Sequence, residues 1–172
     1  SSVGWKMALE NRSTPTAMIL SRQGIADVPA MPGSTRFADA MNAEKGAYIV
    51  KDCEEIPDIT LVASGSEVAT LLDGAALLKE RDGMNVRVVS AISEGRFRDQ
   101  DESYQQSVIP TALPVFGMTA GLPVTLQGLV GPTGKVFGLD SFGYSAPYKV
   151  LDEKLGFNGE NVYKQVIAYL KG

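Results

Sequence analysis

The residues best placed for chemistry form a short turn, Ser64-Gly65-Ser66, between an apolar run and an amphipathic segment. The run 58–63 is too short for a helix and is typical of a buried strand, whereas apolar residues from Val68 onward fall at helical spacing. At a helix N-terminus, unpaired backbone N–H groups and the helix dipole favour an anion. Glu67 argues against a ligand, since its carboxylate satisfies the same positive end. Gly65 and Ser66 are therefore either an anion site or a plain helix start that Ser66 caps.

The chain contains no histidine and only one cysteine, Cys53. Histidine is the commonest general base and metal ligand near neutral pH, so a hydrolase triad, a zinc site and a Cys–His nucleophile are all excluded. Only carboxylates, lysine, tyrosine and arginine remain for chemistry. We expect no catalytic residue, no metal site and no cofactor site within this chain.

Composition limits the partners and the compartment. The 172 residues carry a net charge of −4 without a run of like charge, so the sequence offers no basic surface for a phosphate backbone. We therefore do not expect nucleic acid as a partner. No stretch approaches the roughly 20 apolar residues of a membrane span, and one cysteine cannot form an internal disulfide. We expect a cytoplasmic, reducing environment and no membrane contact. The chain starts at Ser1 without a leader, which suggests a fragment of a longer protein.

Strand and helix patterns alternate along most of the chain and predict its architecture. The predicted strands are 16–21, 47–51, 58–63, 86–91, 114–119 and 136–140. The predicted helices are 3–10, 67–81, 98–107, one with Ser145 as its cap, and one that starts at Asn158 or Gly159. Too few residues separate 47–51 from the next strand for a parallel crossover, so this pair is antiparallel if the two are neighbours. The expected fold is a three-layer α/β/α sandwich, with a mostly parallel sheet of about five strands and one antiparallel edge strand.

A break in the pattern divides the chain. From residue 24 to residue 45 the apolar periodicity disappears, while two prolines and two glycines accumulate. A structureless stretch of that length inside a compact domain is uncommon. We therefore expect three parts: 1–23 as the tail of one domain, 24–45 as a linker, and 46–172 as a second domain.

Six motifs in a fixed order resemble the carboxyl-terminal part of transketolase, and together they cover almost the whole chain. They are Pro15-Thr16-Ala17-Met18-Ile19-Leu20-Ser21-Arg22-Gln23, Gly46-Ala47-Tyr48, Ala63-Ser64-Gly65-Ser66-Glu67-Val68, Arg87-Val88-Val89-Ser90, Phe97 with Gln100 and Tyr104, and Phe142-Gly143-Tyr144-Ser145-Ala146-Pro147. No single motif is decisive, since a strand that ends in Gly-Ser-Glu occurs widely. Their order and spacing carry the resemblance.

The resemblance implies a role for the parent protein. Transketolases of the pentose phosphate pathway are homodimeric transferases that move a two-carbon ketol unit from a ketose phosphate to an aldose phosphate. They use thiamine diphosphate and a divalent cation, Mg or Ca, which lie between the first two domains. Residues 1–23 look like the end of the middle, pyrimidine-binding domain, and 46–172 look like the third domain, which does not touch the cofactor. By itself this chain is then expected to be inactive and to serve structure, assembly or regulation.

The resemblance carries over one site residue, Arg22, which matches the arginine that grips the phosphate of the sugar substrate. The chemistry fits, because a guanidinium is always charged and offers a fork of donors to phosphate oxygens. The alternative is a solvated arginine in a loop.

One segment departs from the family pattern. Where transketolases usually show Glu-Ala-Gly followed by an aromatic-rich helix, this chain has Thr119-Ala120-Gly121 and then 122–128, without that carboxylate and several aromatics. This leaves the contact of the third domain with the rest of the enzyme in question.

Two other classes of function stay open. One is a separate binding module for an anionic metabolite at the Gly65-Ser66 turn, and the other is an interaction domain that serves only assembly. Deoxyxylulose-phosphate synthase and the pyruvate dehydrogenase beta subunit share this kind of third domain. The motifs at 142–147 and 21–23 favour transketolase.

Overall fold

A computed structural model describes residues 2–21 and 23–172. Its helices are α1 Ser2–Glu10, α2 Arg36–Met41, α3 Glu67–Asp82, α4 Glu94–Arg98, α5 Glu102–Val108, α6 Val124–Val130, α7 Tyr148–Leu155 and α8 Gly159–Lys171, with a 3-10 helix at Asn42–Lys45. Its strands are β1 Ala47–Lys51, β2 Ile59–Ala63, β3 Val86–Ala91, β4 Val115–Met118 and β5 Lys135–Phe137.

The five strands form one sheet in the order β1-β3-β2-β4-β5. β2 pairs in parallel with β3 and β4, and β4 pairs in parallel with β5. β1 is the antiparallel edge strand, as predicted, but it pairs with β3 and not with β2. The chain between β1 and β2 therefore crosses the end of β3 and does not close a hairpin.

Two apolar layers sandwich the sheet and confirm the predicted α/β/α fold. On one face, Leu71 and Leu78 of α3 and Val162 of α8 pack against alternate residues of β2. On the other face, α4, α5 and α6 cover Val62 and Val89. Because β2 is buried on both faces, all its residues but Thr60 are apolar, as expected for the centre of a parallel sheet.

The polar helix predicted at 98–107 is two helices, α4 and α5. Asp101 separates them, because its backbone is extended and its carboxylate accepts a hydrogen bond from the Tyr104 N–H at 2.7 Å, which caps α5. The Phe97 and Tyr104 rings still meet edge to face, with centroids 6.2 Å apart. The apolar spacing that suggested one helix thus comes from two helices sharing one core.

Two predicted features of the first 45 residues are wrong. The run 16–21 is not a strand, and its largest aliphatic side chains are exposed, Ile19 at 97% and Leu20 at 62%. The segment 24–45 is not structureless, since it contains α2 and the 3-10 helix. Thr35 caps α2 by accepting a hydrogen bond from the Ala38 N–H at 3.2 Å, a local signal that the apolar periodicity does not carry.

Other helix ends fall close to their predicted positions. Asn158 caps α8, and Gly83 and Gly156 end α3 and α7 in the left-handed conformation that favours glycine. Ser145 does not cap α7, because the helix begins after Pro147. Across 2–21 and 23–172, no helix combines the length and apolar character that a membrane span requires.

Candidate functional site

The turn Ser64-Gly65-Ser66 lies where β2 ends and α3 begins. Gly65 has a φ of +65°, so the chain turns into the helix at this glycine. Ser66 already has helical backbone angles and makes no capping bond, so the predicted cap is wrong. A capping serine needs extended backbone to aim its oxygen at the first turn. The Ser66 hydroxyl instead donates to the Glu67 carboxylate at 3.0 Å.

Glu67 occupies the positive end of α3 that a bound anion would use. Burial is the main cause that raises the pKa of the Glu67 carboxyl, and the negative charge of Asp152 raises it further. Hydrogen bonds from the Glu67 backbone and the Ser66 hydroxyl oppose this shift. The protein thus places its own carboxyl at the helix start, which weakens the case for a second negative group. The anion site at Gly65 and Ser66 stays a prediction.

The same turn borders the point where the crossovers of the sheet diverge. From β2 the chain passes to β3 on one side, and from β3 it returns past β2 to β4 on the other. In open α/β sheets, ligands bind in the crevice outside the carboxyl ends of the strands at such a point. At this point β2 continues into 64–66 and its neighbour β4 into 119–121, where the Gly121 N–H donates to the Thr119 hydroxyl at 3.1 Å.

The amino-terminal segment runs along the same edge of the sheet. The Ser21 Oγ lies 3.9 Å from the position that a Cβ on Gly65 would take. Ser21, Gln23, Ser64 and Gly65 line one cleft of about 1300 Å³. The structure therefore brings the segment that contains the predicted phosphate-binding residue next to the predicted anion turn. Arg22 itself lies outside the described residues, so its role stays a prediction.

Charges of both signs line this cleft. Its described charged residues are Asp27, Arg36, Asp39, Arg96 and Asp99. Arg36 forms an ion pair with Asp27. Hydrogen bonds from Ser34 and from the Met31 N–H lower the pKa of the Asp39 carboxyl. The described wall of the cleft is thus not a concentrated positive site for phosphate.

The single cysteine and the possible metal ligands of the described residues were the remaining candidates for chemistry. Burial raises the pKa of the Cys53 thiol, and the neighbouring Asp52 carboxylate raises it further. A protonated thiol is a poor nucleophile near neutral pH, and this one donates to the Glu55 carbonyl at 3.1 Å. Within 2–21 and 23–172, no three His, Cys, Asp or Glu side chains lie close enough to hold a metal ion. These residues therefore do not fit a diphosphate-bound cation.

Sequence reasoning missed two features of the site. The first is the approach of Ser21 to Gly65, which no local pattern signals because 16–21 does not belong to the sheet. The second is the burial of Glu67, which a helix-start pattern does not distinguish from an exposed first-turn carboxylate. The predicted anion turn and the cleft both lie at the carboxyl edge of the parallel strands, where α/β folds present ligand contacts.

Known proteins resemble this chain in sequence. The family model described as Transketolase-like TK C-terminal domain matches residues 46–158. A transketolase of Staphylococcus aureus is 40% identical over 169 residues, covering 96% of this chain and 24% of the relative. Transketolase 2 of Aliivibrio fischeri is 41% identical over 164 residues, covering 94% and 24%. The chain thus spans about a quarter of the length of these relatives.

Solved structures agree with the sequence comparison. Transketolase from Leishmania mexicana superimposes with a TM-score of 0.84 at 32% identity, covering 99% of this chain and 23% of that one. Transketolase from Pichia stipitis in complex with sedoheptulose 7-phosphate gives 0.81 at 28% identity, with the same coverage. On the sequence match and the shared fold, the chain belongs to the transketolase family, and residues 46–158 correspond to the C-terminal domain of that family.

Proposed function

We propose that this chain is the carboxyl-terminal part of an active transketolase. The complete protein transfers a two-carbon ketol unit from a ketose phosphate to an aldose phosphate, with thiamine diphosphate and a divalent cation. It acts as a homodimer in the cytoplasm. The part described here transfers no ketol unit by itself and serves the structure and assembly of the enzyme. The observation that carries the proposal is the 40% identity over 96% of the chain to only 24% of a transketolase.

The proposed substrate contact is Arg22, which binds the phosphate of the sugar. Three observations support it: the Ser-Arg-Gln motif, the position of Ser21 and Gln23 at the cleft beside Gly65, and a relative solved with a sugar phosphate. Because the described wall carries charges of both signs, we propose that other domains complete the site. Residues 1–23 are proposed as the tail of the preceding domain, 24–45 as the connection and 46–172 as the third domain. The start of the family match at residue 46 supports this division.

Steady-state kinetics of the complete parent enzyme test the role of Arg22. Arg22→Ala is expected to raise the KM for the ketose phosphate about 10- to 150-fold, because a charged hydrogen bond contributes about 1.5–3 kcal/mol. Arg22→Lys keeps the charge but loses the fork, so it should fall between wild type and alanine. The matched control is Arg12→Ala, an exposed arginine before the motif, which should leave KM unchanged. An unchanged KM in Arg22→Ala would contradict the proposed phosphate contact. A parent protein without ketol transfer would contradict the proposed activity.

A second candidate is a binding module for an anionic metabolite at the Gly65-Ser66 turn. The left-handed Gly65 at the start of the long helix α3 favours it, and the Glu67 carboxylate disfavours it. If phosphate binds there, millimolar phosphate should shift the amide resonances of 65–68 before any others, and Glu67→Gln should tighten binding. No shift up to tens of millimolar would leave the turn as structure alone.

A further inference from the structure

A connection of seven residues, 52–58, links β1 to β2 across the amino end of β3, and we call it the strap. Little apolar surface holds it in place: of these residues, all of which the structure describes, only Pro57 is buried, and Ile56 is 76% exposed. The position of the strap therefore depends on polar contacts. Segments with few buried apolar contacts are the ones that open locally in folded proteins.

The start of the strap is held by an arginine of β3. The Arg87 guanidinium donates to the Asp52 carboxylate from Nε at 2.8 Å and from Nη2 at 3.4 Å. Its Nη1 donates to the Ser107 carbonyl of α5 at 2.8 Å, so one side chain joins the strap, the sheet and a helix. The Arg87 side chain is 14% exposed and that of Asp52 is 31% exposed. Because water and salt screen such a pair less than an exposed one, this contact is stronger than an ordinary surface ion pair.

The other end of the strap belongs to the sheet. The Asp58 N–H donates to the Asn85 carbonyl at 2.8 Å, and the Asn85 N–H donates to the Asp58 carboxylate at 2.7 Å. These bonds extend the parallel pairing of β2 with β3. Between the two ends, the contact of the Asn85 side-chain amide with the Glu55 carboxylate is longer, at 3.5 Å. Loss of the Arg87 contact would therefore free the start of the strap and leave its end attached.

The single cysteine of the chain lies next to the Arg87 contact and can report on it. The Cys53 N–H donates to the Asp52 carboxylate at 3.0 Å, and the Cys53 thiol donates to the Glu55 carbonyl at 3.1 Å. Both bonds lie within the strap, where Cys53 is half-buried. A strap that opens at Asp52 would therefore lose its hold on the Cys53 backbone and expose the thiol to reagents.

We propose that the strap opens as a local unit while the sheet stays folded, and that the ion pair of Arg87 with Asp52 is the latch that keeps it closed. Asp58 and Asn85 form the hinge of this motion. The opened strap exposes the Cys53 thiol, which the closed strap shields. The latch consists of residues of this chain alone, so it operates independently of the proposed ketol transfer.

Alkylation of Cys53 in the complete parent protein tests the latch, with peptide mass mapping to assign the label. Arg87→Met keeps the apolar part of the side chain and removes its donors. The thiol should then react about 10- to 100-fold faster than in wild type, because a hydrogen bond to a charged group contributes roughly that factor to a local opening equilibrium. Burial raises the pKa of the Cys53 thiol, and the Arg87 charge opposes this shift. Removal of the charge alone would thus slow alkylation, so a faster rate reports opening.

Hydrogen exchange of the β2 amides, measured on the same samples, separates local opening from unfolding of the sheet. These amides exchange only when the sheet unfolds, so Arg87→Met should leave their rates unchanged. Arg98→Met is the matched control, because Arg98 forms an exposed ion pair with Glu94 within α4 and should not affect the Cys53 rate.

Arg87→Lys keeps the charge but loses the fork of donors, so its Cys53 rate should fall between those of wild type and Arg87→Met. It replaces Arg87→Met if that variant fails to fold. A Cys53 rate that neither substitution of Arg87 changes would overturn the inference. So would β2 exchange that accelerates as much as the alkylation, because the strap would then open only together with the sheet.

Discussion

At the scale of single residues, the chemistry of Glu67 differs from what its sequence position suggests. A carboxylate in the first turn of a helix is ordinarily stabilised in its charged form by the helix dipole. Here burial is the dominant cause and raises the pKa of the carboxyl. The folded protein therefore holds this proton more tightly than the unfolded chain does.

The sign of the pH dependence follows from that shift. A group whose folded pKa lies above its unfolded value, about 4.3 for glutamate, stabilises the fold below the unfolded pKa and loses that contribution as the pH rises through the folded pKa. Glu67→Gln cannot titrate. Its free energy of unfolding relative to wild type should therefore increase from pH 4 to pH 7, as measured by urea denaturation across this range. A difference that is constant with pH would contradict the burial of Glu67.

Glu160 provides the opposite case in the first turn of α8. Its ion pair with Arg81 lowers the pKa of this carboxyl. The pair stabilises the fold above the unfolded pKa, and this contribution is lost as the pH falls through the folded pKa. Glu160→Gln should thus be less stable than wild type at pH 7 and approach it at low pH, in the same denaturation series. If the two Gln variants followed the same trend, the environments assigned to the two carboxyls would be wrong.

At the scale of elements, the packing of α3 against α8 depends on Gly74. A Cβ at this position would lie 2.6 Å from the Cβ of Val162, closer than real side chains approach. Gly74→Ala should destabilise the chain by about 1–3 kcal/mol through overpacking, even though alanine favours a helix by up to about 1 kcal/mol over glycine. Thermal unfolding measures the change.

Gly95 in α4 is the control for this substitution. A Cβ on Gly95 would meet no atom within 4 Å, so Gly95→Ala should gain helix propensity and stabilise by up to about 1 kcal/mol. Stabilisation of both variants would mean that α3 and α8 lie further apart than described.

Segment 24–45, which precedes β1, is either a structureless linker or a folded segment that contains α2, and proteolysis distinguishes the two. Capping by Thr35, and a hydrogen bond from the Met31 N–H to the Asp39 carboxylate at 2.8 Å, hold α2 in place. Limited proteolysis should therefore cut first between residues 24 and 30 and leave a core that still contains α2. A structureless linker would instead be cut throughout 24–45, and first cuts inside 58–92 would contradict the domain division itself.

Some elements were predictable from sequence, and the physical reason differs from one to the next. β2, α3 and β3 were found because long apolar patterns reflect burial on the sheet, which the local sequence encodes. The run 16–21 has the composition of a buried strand, yet it is exposed here, because composition records a preference and pairing requires a neighbouring strand. The split between α4 and α5 was missed because one side-chain oxygen, that of Asp101, decides it.

At the scale of the whole molecule, the order and spacing of the six motifs predicted the family, which no single motif did. The α/β/α sandwich with one antiparallel edge follows from strand spacing and crossover length, and the structure confirms it. The strand order was less predictable: β1 lies beside β3, and a connection of seven residues between β1 and β2 does not specify which strand it passes. The candidate site was predicted at its edge of the sheet but not in its contacts, since those depend on a segment outside the sheet.

The last prediction concerns the whole chain and its cofactor. We propose that thiamine diphosphate lies between the two preceding domains. The chain described here has no histidine and, in its described part, no cluster of metal ligands. Calorimetric titration of this chain with thiamine diphosphate and magnesium should therefore show no heat of binding up to millimolar concentrations. The complete parent serves as the matched positive control and should bind under the same conditions. Micromolar affinity of the isolated chain would contradict the proposal, because it would require a diphosphate site within these 172 residues.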